Sequence, residues 1–154
     1  MRKAVILSIL VATSCCVTLL LTEHDYGVTR SAPLNAFPDT GCVRTVVAGL
    51  DGVQRVSESS QQDHDRLSYS GSGFSVNAYV TRDPQGKVLF SQDSITVNRR
   101  PSAREVESTR RMMRMLERRL ASECGLRELV NDVHEACIRV HCPSGDQADA
   151  VQPL

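Results

Sequence analysis

The sequence predicts an α+β domain: a four-stranded antiparallel sheet made of two β-hairpins, followed by two α-helices packed on one face. Three observations carry this expectation. Strand-like segments flank strong turn sequences in the first half of the chain, and apolar residues recur at helical spacing in the second half. In addition, four cysteines outside the N-terminal apolar run can staple a core that has no Trp and only three Phe and three Tyr.

The first element is built for export. Residues 4–21, AVILSILVATSCCVTLLL, carry no charge and follow the basic pair Arg2 and Lys3. As a helix this run spans about 27 Å, close to the thickness of a bilayer core. Glu23 and Asp25 beyond it complete the asymmetry that sends the remainder outward. Ala12 and Ser14 are small residues at signal-peptidase spacing, and Ser14–Cys15 resembles the end of a lipobox, which makes Cys15 a lipidation candidate. Against release stands CVTLLL at 16–21, whose exposure costs about 25 cal/mol per Å² of apolar surface. Whether 1–21 spans, is cleaved or is lipidated, residues 22–154 are expected outside the cytoplasm. The protein is expected to be held in the cell envelope, in the periplasm if bacterial.

Residues 22–40 contain two prolines and no apolar period, and read as an extended tether. The domain is then expected over 41–142, with 143–154 as a disordered tail. CVRTVVAGL and VQRVSES flank Asp51–Gly52, the first hairpin signal. Residues 59–65 make a polar loop. FSVNAYVTRD and KVLFSQDSITVN flank DPQG at 83–86, the second hairpin. Phe74, Val76, Ala78 and Val80 share one strand face, whereas Val88 and Phe90 differ in parity from Ile95 and Val97. A β-bulge near Gln92–Ser94 would bring all four to the core.

The first helix begins with a capping box, Ser102 with Glu105, and ends at Gly125. Val106, Thr109, Met113, Leu116 and Leu120 form its apolar stripe. A second helix is expected to carry Leu126, Leu129, Val130, Val133, Cys137 and Val140 on one side. If that helix is continuous, Cys124 and Cys137 lie about 20 Å apart, too far for a bridge. The expected disulfides are therefore Cys42–Cys124 and Cys137–Cys142.

Charge is segregated although the formal total is zero. Residues 99–119 hold eight Arg and three Glu. Arg104, Arg110, Arg111, Arg114 and Arg118 are expected opposite the apolar stripe, with Met115 among them. Guanidinium forks suit carboxylate or phosphate, so this face is the candidate surface for an anionic protein partner or phospholipid headgroups, with Glu107 expected to pair along the helix with Arg111 and Arg110. Nucleic acid is disfavoured as a partner by compartment and by the lack of aromatics for stacking bases.

Chemistry is hard to find. His64 within DHD at 63–65 is the best acid–base candidate, but alternating residues on a loop point in different directions and no nucleophile motif accompanies it. His134, Cys137, His141 and Cys142 supply metal-ligand types at a spacing that fits no zinc pattern. GSGF at 71–74 resembles a phosphate-loop fragment but runs into a strand, so it reads as a turn. The expectation is an envelope-held protein-binding module of adaptor, inhibitor or immunity type. It is expected to dock an acidic protein, to hold the membrane through its N-terminal segment, and to need no cofactor, metal or catalytic residue. A small metal-dependent protein or hydrolase using the His/Cys cluster is the alternative.

Overall fold

The computed structural model describes residues 25–61 and 64–140. Its elements in order are β1 (Asp25–Leu34), α1 (Thr40–Ala48), β2 (Val53–Ser60), β3 (His64–Gly71), β4 (Phe74–Arg82) and β5 (Val88–Val97). They continue with α2 (Ala103–Glu123), the single turn α3 (Glu128–Asn131) and β6 (His134–Ile138). The expected α+β class is found, with an antiparallel sheet and helices covering one face. The sheet has six strands instead of four, in the order β2-β3-β4-β5-β1-β6.

The extra strands come from both ends of the described region. Residues 25–34, expected as part of a tether, form an interior strand next to the edge, paired with β5 along its whole length, Asp25 opposite Val97 through Leu34 opposite Val88. Tyr26, Val28, Arg30, Ala32 and Leu34 share one face, and Val28, Ala32 and Leu34 are buried in the core. Pro33 and the polar residues between them concealed this period-2 signal. At the other end, the expected second helix is interrupted after α3. Residues 134–138 instead pair with β1, Glu135 opposite Arg30 and Cys137 opposite Val28.

The first expected hairpin is also revised. CVRTVVAGL is not a strand; Thr40–Ala48 is helix α1. Val43, Val46, Val47 and Leu50 are buried, which is the i, i+3, i+4, i+7 spacing of a helix. Asp39 caps it by accepting from the Gly41 N–H at 2.9 Å. The β-branched residues gave a strand-like composition that periodicity overrode. Strand β2 pairs instead with β3, whose first residues fall in the expected polar loop. The turn from β3 to β4 is GSGF. A Cβ on Gly71 would meet the Gly52 carbonyl oxygen at 2.0 Å, so only glycine fits there.

The second hairpin is found as expected, β4 to β5 around 83–87, with the Asp83 carboxylate accepting from the Gln85 and Lys87 N–H groups. The expected bulge is absent. Pairing of β5 with β1 runs without a shift, so Ile95 and Val97 lie on the sheet's open face, 49% and 61% exposed.

Helix α2 starts at the expected capping box. Glu105 N–H donates to the Ser102 hydroxyl at 3.2 Å, and the Ser102 N–H donates to the Glu105 carboxylate at 2.8 Å. Gly125 follows the helix at φ 73°, the left-handed conformation expected of it. Met112, Met113, Leu116 and Leu120 seal the core against α1 and the sheet. Cys42 on α1 and Cys124 after α2 form the expected disulfide, Cα atoms 6.0 Å apart. The continuous helix that was to separate Cys124 from Cys137 does not exist. Cys42–Cys124 instead follows from α1 packing beside the end of α2. Cys137 is disulfide-bonded too, and Cys142 lies outside the described residues.

Candidate functional site

Helix α2 positions every residue of the expected docking face, and the structure divides them. At 3.6 residues per turn, residues seven apart return to nearly the same side. Arg104, Arg111 and Arg118 obey that spacing and are all exposed. Their Cα atoms span about 21 Å of helix at the usual rise. Among the described residues none of the three makes a salt bridge. Arg114 lies between them, half-exposed, and donates to Glu107 at 2.8 Å. Met115 is partly buried and packs against the core cluster, which makes it a poor anchor for a partner.

Arg110 is not on this face. It lies about 100° around the helix from buried Thr109, on the flank above β1 and β6. Its side chain is 11% exposed, and its Nε donates to Glu135 at 3.0 Å. A second nitrogen lies 3.4 Å from the Cys137 sulfur. The arginine was legible as part of a basic cluster, but its partner lay on a strand that the sequence did not reveal.

Glu135 leads into a buried polar network that sequence reasoning missed. Arg30 on β1 forks Glu117 of α2, Nε to Oε1 at 2.8 Å and Nη2 to Oε2 at 3.0 Å, and its remaining nitrogen donates to Glu135. Gln92, fully buried on β5, donates to Glu117 at 2.9 Å and accepts from the Tyr69 hydroxyl at 2.7 Å. Two arginines and two glutamates therefore balance in charge. Among the described residues no buried side-chain polar atom lacks a partner. Burial pushes the Glu117 carboxyl up, with Arg30 and Gln92 opposing it. Burial likewise pushes the Tyr69 phenol up. Desolvation works against the Arg30 charge, but Glu117 and Glu135 outweigh it and raise its pKa. The network locks α2 to β1 and β6. The readable signal was Arg30 alternating with Val28, Ala32 and Leu34, and Glu117 beside Leu116 in the apolar stripe.

The expected chemical clusters are dispersed. His64 opens β3 and its ring lies 6.3 Å from that of Tyr79, whereas Asp65 points to the other face and accepts from Ser60. His134 and Cys137 likewise take opposite faces of β6, and His141 is outside the described residues. Among the described residues no three His, Cys, Asp or Glu are grouped so as to hold a metal ion.

Two further surfaces remain. A cleft of about 290 Å³ lies between the start of α2 and the ends of β1 and β5, lined by Tyr26, Thr96, Arg99 and Val106. The uncovered sheet face carries a polar ladder, Ser68 to Asn77 at 2.7 Å and Asn77 to Asp93 at 3.0 Å. Beside it, at the Asp25 end, Ile95, Val97 and Ile138 are exposed.

No protein-family model matches this chain, and no curated protein matches it either. Among the described residues no helix is long and apolar enough to cross a membrane. The apolar run at 4–21 and Cys15 lie outside the described residues.

Proposed function

We propose that this protein is an envelope-held binding module that docks an acidic surface of another protein through the outer face of α2. The observation that carries the reading is the line of Arg104, Arg111 and Arg118. These are three exposed guanidinium groups without a salt bridge among the described residues, on a helix whose other side is locked into the core. A rigid row of like charge is suited to steering and registering an acidic partner. Among the described residues the Arg114–Glu107 pair beside the row leaves its three charges uncompensated. The disulfide and the Arg30–Glu117 network keep the helix fixed, so the row is presented without an ordering cost. Export and retention rest on the N-terminal apolar run.

The test is the triple substitution Arg104→Gln, Arg111→Gln, Arg118→Gln. Melting temperature is expected to stay nearly unchanged, because exposed charges contribute roughly 0–1 kcal/mol each. Crosslinking from native membranes is expected to lose the partners that wild type recovers. Identical partners for both chains would mean that the row is only solvated.

A further inference from the structure

The position of β1 changes what the N-terminal segment can do. With residues 25–34 inside the sheet, only Thr22, Glu23 and His24 separate Leu21 from the folded domain. Four residue steps reach at most about 14 Å, and the polar layer of one leaflet occupies roughly 6 Å of that. The ten-residue strand β1 is itself about 34 Å long. If 4–21 is held in the bilayer, a domain that tall on so short a link keeps the end bearing Asp25 nearest the leaflet.

That end has the composition of an interfacial surface. Asp25 pairs with Val97, and Gly27 lies between Ile95 and Ile138 on the open face. Beyond Val97 come Asn98, Arg99, Arg100 and Pro101, and beyond Ile138 comes Arg139. Arg99 and Arg100 are exposed, Arg99 forking Glu105 at 2.7 Å and 3.1 Å. Among the described residues the acidic groups beside these arginines are Asp25 and Glu105, with exposed Asp51 at the same end of the sheet but on the far edge, before β2. Guanidinium groups beside exposed aliphatic side chains match a boundary where headgroup phosphates overlie hydrocarbon.

Resting on the reading that 4–21 stays in the membrane, we propose that this end of the domain docks on the anionic headgroups of its own leaflet. The contacts are Arg99 and Arg100, with Val97 and Ile95 beside them. Helix α2 starts at this end and runs past Arg30 and Gln92 toward Cys42, so its arginine row rises away from the bilayer. The two basic surfaces thereby divide the work, one for lipid and one for protein.

The chain has no Trp, so single Trp probes report without background. Full-length Val97→Trp and Leu89→Trp chains are reconstituted into phosphatidylcholine vesicles carrying a nitroxide headgroup quencher, with and without phosphatidylglycerol. The probes share one strand face and are separated by about 27 Å. The expected result is strong quenching at 97, little at 89, and a rise at 97 when phosphatidylglycerol is present. Arg99→Gln with Arg100→Gln is expected to remove that rise, each arginine near an anionic surface shifting docking by about fivefold. Vesicle-bound chains with equal quenching at both probes overturn the docking and leave the anchor standing. So does quenching at 97 that ignores both phosphatidylglycerol and the arginine pair. Chains that fail to remain with vesicles overturn the anchor reading, and this inference with it.

Discussion

Replacing Arg30 by Met tests the account at its least expected point. The side chains of Arg30 and Glu117 are 11% and 6% exposed, so they form a buried pair and not a surface one. Met retains most of the apolar stem of Arg30. Glu135 keeps Arg110, but Glu117 is left with Gln92 as its main remaining donor. Removing one member of a buried pair typically costs 3–5 kcal/mol, because the other charge stays behind without compensation. With Gln92 still donating, the lower figure is expected, about 3 kcal/mol. At about 4 °C per kcal/mol this lowers the melting temperature by about 12 °C. Adding Glu117→Leu removes the stranded carboxylate and is expected to recover most of the loss, since Gln92 still reaches the Met113 carbonyl. The pH dependence has a definite sign. Burial already raises the Glu117 pKa, and without Arg30 it rises further, so the ionised form is the one penalised. The deficit is therefore fully developed at neutral pH and shrinks as pH falls through the raised folded value toward the ordinary 4.5. Urea and thermal unfolding at several pH values measure all three effects. A loss under about 1 kcal/mol, or a double variant no better than the single one, would refute the reasoning. A residue in a loose tether gives the first of those results.

Other outcomes follow from the same structure. Reducing Cys42–Cys124 opens a loop with a sequence separation of 82 residues. The chain-entropy relation puts the loss at about 4.5 kcal/mol, read as a lower urea midpoint for Cys42→Ala with Cys124→Ala. Ser102→Ala is expected to cost about 1 kcal/mol through the lost cap. The Arg99 fork, with the Ser102 N–H, holds the Glu105 carboxyl down to about 2. Its contribution is complete above 4.5 and disappears as pH falls toward 2, so Glu105→Gln and wild type should converge in melting temperature in acid. Peptide mapping without reduction is expected to recover Cys137 linked to Cys142, and a free thiol at Cys137 would contradict the bonded state seen here.

The parts of the fold that were legible had local signals that agreed with their surroundings. The DPQG hairpin, the Ser102–Glu105 box and the Gly125 stop each depend on a few neighbouring residues, and each is found. Failures arose where composition and period disagreed. Val43, Val46 and Val47 look like strand residues but are spaced like a helix, and the helix prevailed because all three bury together with Leu50. Strands β1 and β6 were invisible for a different reason. Among the described residues their polar positions, Arg30 and Glu135, pair with each other and with α2, across 105 and 87 residues of chain. Long-range charge pairing leaves no local pattern. The arginine face was half legible: its arginines could be counted, but only the fold shows that Arg110 turns inward while Arg104, Arg111 and Arg118 stay outside.

The most direct measurement of the central claim is quantitative crosslinking of the full chain in its native membranes. Wild type is compared with Arg104→Gln, Arg111→Gln, Arg118→Gln at low and high ionic strength. A docking row predicts protein partners that are recovered by wild type at low salt, weakened by added salt and missing from the triple variant, while both chains melt alike. Partners recovered equally by both chains, at either ionic strength, would contradict it.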